Sequence, residues 1–238
     1  MSISQNYPNV APQILIDLAN TQKLDPRLTF ARASVGTYYD ANGVLQTASS
    51  GVARFQFDPV TGVSQGLLRE NQATNLVTYS EDFSNAAWTK TNGSLESNVV
   101  IAPDGTLTGD KLVENTAGVA HDVRRTLSFT AGTYSFSIYA KYAGRVLRLQ
   151  LQSNNNSEYA VADFDLQVGT SSVSYTSPSG VSGVFAKIEE VGNGFFRCSV
   201  IATYANALSI VVIRTVPSVA FGLSGIYTGD GVSGIYIW

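Results

Sequence analysis

TYSFSIYAKYA, residues 133–143, alternates apolar and polar side chains along its whole length. A period of two marks a strand with one face toward a core and one face away from it. Tyr134, Phe136, Ile138 and Ala140 then face inward, and Ser135, Ser137, Tyr139 and Lys141 face outward. RVLRLQLQ (145–152) repeats the pattern, with Leu147, Leu149 and Leu151 inward and Arg148, Gln150 and Gln152 outward. In EYAVADFDL (158–166), Ala160, Ala162, Phe164 and Leu166 face inward, while Tyr159, Asp163 and Asp165 face outward. FFRCSVIA (195–202) places Cys198 on the apolar face beside Phe196 and Val200, as a small buried filler, and turns Arg197 and Ser199 away from it.

Working outward, further short strands are predicted near LESNVVI, DKLVEN, AHDVRRTLSF, SSVSYTS, VFAKIEEV, LSIVVIRT and GIYIW. Turn signals such as AGT, NNN, PSG, GNG and GDG separate many of them. Gly or Asn interrupts every helical candidate, and no repeat of solenoid or propeller period is visible. The fold class expected is all-β, a jelly-roll β-sandwich over residues 74–238. Residues 1–73 read as a smaller, hairpin-rich N-terminal portion. There, residues 1–13 look extended, QILIDLA and LTFARAS read as strands, and TYYDANGVLQT reads as a hairpin around a two-residue Asn42-Gly43 turn. ARFQFD followed by DPVTG adds a second strand and turn.

Composition narrows the function. Charged residues make up 14% of the 238 residues, against about a quarter in a typical domain. The net charge of −3 argues against an electrostatic nucleic-acid role. The single cysteine excludes an internal disulfide framework. The N-terminus has neither the basic nor the apolar segment of a signal peptide, and no apolar run nears the roughly 20 residues of a membrane span. The expectation is a soluble chain made in a bacterial cytoplasm, without membrane insertion.

Catalytic constellations are sparse. His121, the only histidine, neighbours Asp122, but strand neighbours point to opposite faces and so form no dyad. Asp163 and Asp165 share a face, with Cα atoms about 6.5–7 Å apart, the one pairing suggestive of a glycosidase. A binding role fits better. Placed in one sheet, the outward residues Tyr139, Arg148, Gln150, Gln152, Tyr159, Asp163 and Arg197 make a platform of rings and planar hydrogen-bonding groups. Sugars are held this way, C–H faces on rings and hydroxyls on amides, guanidinium and carboxylate.

LDPRLTFARAS, TYYDANGVLQT, ARFQFDPVTG, GLLRENQATNLVTYSEDFSNAAW and APDGTLTGDKLVEN, in that order, resemble a recurrent module of bacteriophage structural proteins. That module occurs in tail-fibre-like and head-spike or head-fibre proteins, and the blocks also resemble gene transfer agent head spikes. The resemblance implies a virion-surface protein that binds host surface polysaccharide, joined to a capsid or tail protein through its N-terminal region and acting as a homo-oligomer. It implies no catalytic residue. The stretch TNLVTYSEDFSNAAWTK (74–90) is similar to the opening of certain carbohydrate-binding modules. Phe83 and Trp88 would then be packing anchors, and Glu81 and Asp82 candidates for a structural calcium. Here the acids precede Phe83, whereas that pattern has one after it, and GIYIW lacks the aspartate those modules carry in the final strand. The alternatives are a structural adaptor without glycan binding and a glycan-degrading enzyme. Family members often continue past the Tyr-Ile-Trp segment, so GIYIW reads either as a pairing strand that ends the fold or as the end of a piece of a longer chain.

Overall fold

The computed structural model describes residues 16–154 and 157–238. The extended reading of residues 1–13, the first part of QILIDLA and the last two asparagines of the NNN turn lie outside the described residues. The chain divides into two units, one of residues 1–74 with Pro103–Gly105, the other of Asn75–Ala102 with Thr106–Trp238.

In the smaller unit a one-turn helix, α1 (Leu18–Thr21), precedes β1 (Gly36–Tyr39), β2 (Leu45–Ala48), β3 (Phe55–Phe57) and β4 (Ser64–Leu67). β1 pairs with β2 and β3 with β4, both antiparallel. Of QILIDLA only residues 16–19 are described, and these form no strand: Leu18 and Ala19 begin the helix, which Asp17 caps by accepting from Asn20 N at 3.1 Å. LTFARAS is likewise not a strand. Its Arg32 instead donates to the carbonyls of Ser34, Ala48, Ser49 and Val52. The first hairpin is present, but its turn is longer than expected. Asp40 N donates to Val44 O, and Gly43 N donates to Asp40 O. Asp40 Oδ1 holds the amides of Asn42 and Val44. This is a three-residue loop ending in left-handed Gly43 (φ +74°), where a side chain would strike Pro59 O at 2.3 Å.

The larger unit contains β5 (Thr89–Thr91), β6 (Gly93–Val100), β7 (Gly109–Glu114), β8 (Gly118–Val119), β9 (His121–Thr126), β10 (Gly132–Ala143) and β11 (Val146–Ser153). It continues with β12 (Tyr159–Asp165), β13 (Thr170–Thr176), β14 (Val181–Glu190), β15 (Phe196–Tyr204), β16 (Leu208–Val216), β17 (Tyr227–Thr228) and β18 (Gly234–Ile237). Among the described residues these form two six-stranded antiparallel sheets, ordered β14-β15-β10-β18-β7-β6 and β13-β12-β11-β16-β9-β5. β8 and β17 make a separate small pair. Every long strand read from the sequence is there; the short β5, β8 and β17 were not foreseen.

The core joins the inward residues of both sheets. Ile138, Ala140, Cys198, Val200, Ile235 and Ile237 come from one, and Leu147, Leu149, Leu151, Ala162, Phe164 and Ile213 from the other. Phe83 and Trp88 sit in the same cluster, ring centroids 5.1 Å apart, and Trp88 Nε1 donates to Tyr79 O at 2.8 Å. The stretch around them is a packed joint. Burial raises the Cys198 thiol far above its ordinary range, which suits a filler.

Asp110 in β7 is a buried carboxylate whose pKa burial holds above the ordinary 3.8, although Asn98 N donates to it at 2.9 Å. Between the ordinary value and the raised one the folded chain binds more protons, so stability falls as pH rises through that window. Asp110→Asn keeps an acceptor for Asn98 N and removes the buried charge. The expected outcome is a higher Tm at neutral pH, a gain that disappears below pH 3.8, checked by thermal melts across pH.

Candidate functional site

The expected platform is divided between the two sheets. Tyr139 lies in β10 and Arg197 in β15, whereas Arg148, Gln150 and Gln152 lie in β11 and Tyr159 and Asp163 in β12. Gly144 (φ +102°) and Arg145 carry the chain from β10 into β11, which belongs to the other sheet. Alternation fixes which face of a strand is outward. It does not say which sheet the strand joins.

On the sheet containing β11, one cross-strand row runs Asp163, Arg148, Arg214, Asp122 by direct pairing of β12, β11, β16 and β9. Arg148 grips Asp163 with two parallel bonds, Nε–Oδ1 at 2.7 Å and Nη2–Oδ2 at 2.9 Å. Arg214 donates Nε and Nη2 to Asp122 Oδ2 at 3.2 and 2.9 Å, and Arg124 adds a bidentate pair to the same carboxylate at 2.8 Å. The row points away from the core and yet is buried, with the Arg148 and Asp163 side chains 1% and 0% exposed. Its cover is the segment 217–226 between β16 and β17. The carbonyls of Phe221, Gly222 and Leu223 accept from Arg148, and that of Ser224 accepts from Arg214 at 3.1 Å. Ala220 N donates to Asp163 Oδ2 at 2.8 Å. Gly225 (φ +60°) lies so close that a Cβ would fall 2.8 Å from Arg214 Cδ. Arg148 and Asp163 are therefore fasteners for this strap, which corrects their assignment as exposed contact groups.

Beyond the strap, Glu114 accepts from Arg145 Nε at 2.8 Å, from Asp230 N at 2.8 Å and from the Tyr227 hydroxyl. Burial, then the bond to Glu114, pushes the Tyr227 hydroxyl above its ordinary range. His121 is buried, its Nδ1 and Nε2 facing the carbonyls of Asn92 and Tyr227 at 2.7 and 3.3 Å. Asp122, on the opposite face of β9, is committed to Arg214 and Arg124, so no His–Asp dyad is assembled. Asp165 accepts the amides of Gln167 and Val168 in a turn, apart from the buried Asp163. Gln150 is buried and donates to Gln152 Oε1 at 3.2 Å; Gln152 and Tyr159 are half-buried.

The other sheet carries Tyr139 and Arg197 on its outer face. Direct pairing gives the row Glu189 (β14), Arg197 (β15), Tyr139 (β10). Trp238 extends it, exchanging both backbone hydrogen bonds with Tyr139 at 3.1 and 2.9 Å. The Tyr139 and Trp238 rings are 5.3 Å apart and inclined by 53°, and the indole N–H donates to Thr108 Oγ1 at 3.0 Å. One step along lies the row Lys141, Tyr236, Lys111. Lys187 and Glu189 are 2.7 Å apart, Lys141 Nζ donates to Asn193 O, and Lys111 Nζ donates to Val232 O. Arg197 is exposed and has no partner among the described residues. Trp238 and Tyr236 were not foreseen as part of a platform. The signal was legible, because GIYIW alternates and puts both rings on the face opposite Ile235 and Ile237.

Asp82 accepts from Ser84 Oγ and Asn85 N, and Ser84 holds its carboxyl below the ordinary aspartate range. Lys90 Nζ donates to the carbonyls of Ser84 and Asn85 at 3.0 and 3.1 Å, and Glu81 is exposed. Among the described residues no group of three or more acidic, histidine or cysteine side chains converges on a possible metal position.

No protein-family model matches the chain, and no curated protein matches it.

The strap account has a direct check. Asp163→Ala leaves the Arg148 guanidinium buried without its counter-charge, and is expected to lower stability to urea by about 3–5 kcal/mol. Replacing the pair together, Arg148→Met with Asp163→Leu, is expected to recover most of that loss. Amides of residues 218–226 should exchange faster in both variants.

Proposed function

We propose that the chain is a spike or fibre component of a phage-type particle that binds host surface polysaccharide. The outer face bearing Tyr139, Trp238 and Arg197 would be the contact. In this reading the two facing sheets are a jelly roll akin to carbohydrate-binding modules. Residues 1–73 attach the protein to a capsid or tail protein, and the working form is a homo-oligomer. The observation that carries the reading is the pairing of half-buried rings with an unpartnered guanidinium along one row of an outer sheet face. Rings fixed at their base by strand pairing lose little freedom when a sugar packs on them, and a guanidinium beside them supplies planar donors for hydroxyl or carboxylate oxygens. The order of the N-terminal sequence blocks supports the particle assignment.

The reading calls for no catalytic residue and no cofactor, and calcium is not required for the face to form. It also involves no nucleic acid. Among the described residues no helix is long and apolar enough to cross a membrane. One shallow site of this kind binds weakly, and several copies on one particle raise the avidity by orders of magnitude without new contacts.

Binding of the purified protein to capsular polysaccharide and lipopolysaccharide tests the reading. Tyr139→Ala is expected to reduce binding at least tenfold, with Tyr159→Ala near wild type because Tyr159 stands on the other sheet. Equal loss from both variants, or loss from Tyr159→Ala alone, would move the contact off this face.

A further inference from the structure

We propose that this face selects saccharides that carry a carboxylate directly on the sugar ring, hexuronates and related acidic sugars; the inference rests on the glycan-binding reading above. The larger unit spends its other arginines internally. Arg124 and Arg214 are bound to Asp122, Arg148 to Asp163 and Arg145 to Glu114, and Arg125 donates to Thr78 Oγ1 between the rings of Tyr79 and Trp88. Arg197 stands directly across from Glu189, its natural counter-charge, but Lys187 holds that carboxylate at 2.7 Å. The guanidinium is left exposed, with its planar fork of donors unused by any described residue.

The geometry then sets the ligand. Arg197 and Tyr139 are direct cross-strand partners, so their strands are about 4.8 Å apart. A sugar ring packed on Tyr139 and Trp238 reaches that fork with a group bonded to its own ring carbons. A carboxylate there accepts two parallel N–H bonds, the strongest pairing a guanidinium makes. A neutral hydroxymethyl at the same carbon offers a single uncharged acceptor. The surrounding charge agrees: Lys111, Lys141, Lys187 and Arg197 share this outer face with Glu96 and Glu189, on a chain whose net charge is −3.

The test uses the whole protein and a panel of uronate polymers (polygalacturonate, alginate and a glucuronate polymer), each before and after chemical reduction of its carboxylates. Calorimetry should show at least one uronate polymer losing tenfold or more in affinity on reduction. Arg197→Gln should bring the unreduced polymer down to the level of its reduced form, and Arg197→Lys should fall between them. The Tm of both variants should match wild type, because no described residue bonds to the exposed Arg197 guanidinium. Tyr139→Ala should weaken binding to both forms. If neutral polymers bind as well as uronates and Arg197→Gln changes nothing, the acidic-sugar inference is overturned while the glycan reading stands. If no polymer of either kind binds, the glycan reading itself falls. Capsular polysaccharide and lipopolysaccharide purified from one strain, each with and without carboxyl reduction, assign the natural source. Loss of affinity on reduction in either supports the inference, and loss in neither overturns it.

Discussion

The buried charge row Asp163–Arg148–Arg214–Asp122 is the constraint on which the larger unit depends. Each guanidinium has left water, which is tolerable only if its donors are nearly all used. Two carboxylates accept part of these bonds and four strap carbonyls accept the rest, while one strap amide, Ala220 N, donates to Asp163. The row therefore does two things together. It fixes the register of β12, β11, β16 and β9, because a slip of one residue would turn a charge into the core. It also holds an otherwise irregular segment flat against the sheet. This outer face is thereby partly closed by the strap, while Tyr139 and Trp238 stand on the outer face of the opposite sheet.

The strands were legible because a period of two is a local property. Leu147, Leu149 and Leu151, or Phe136, Ile138 and Ala140, announce a half-buried strand without reference to anything else. The face of Arg148 and Asp163 was legible for the same reason, and both do point away from the core. Their burial was not, because it comes from residues 217–226, more than fifty positions away and without any periodicity. Sheet membership was hidden too. Tyr139 and Arg148 are nine residues apart in sequence and stand on different sheets, because the chain crosses over at Gly144-Arg145. A platform assembled from outward residues alone merges two faces that the topology separates. Trp238 shows the opposite case, a ring whose position followed from the alternation of GIYIW.

The conspicuous sequence blocks of the smaller unit turn out to be framework. Arg32 gathers four backbone carbonyls, Arg54 is buried between Thr37 O and Glu70, and Asp40 and Asp58 hold the amides of their own turns. Among the described residues of this unit the buried apolar side chains are Tyr39, Ala48 and Phe57, and such side-chain-to-backbone bonds help fix its loops. Turn and carbonyl geometry accounts for these blocks, and the residues of the proposed contact, Tyr139, Arg197 and Trp238, lie outside them.

The two tryptophans make the placement of the contact directly measurable. Trp88 is buried in the core, its indole N–H given to Tyr79 O, while Trp238 lies on the outer face beside Tyr139. Each contributes one indole N–H resonance in a nitrogen–proton correlation spectrum. During titration with host polysaccharide fragments, the account expects the Trp238 resonance to shift progressively together with the amides around Tyr139 and Arg197, and the Trp88 resonance to stay fixed. Shifts confined to Tyr159, Gln150 and Gln152, with Trp238 unmoved, would contradict it.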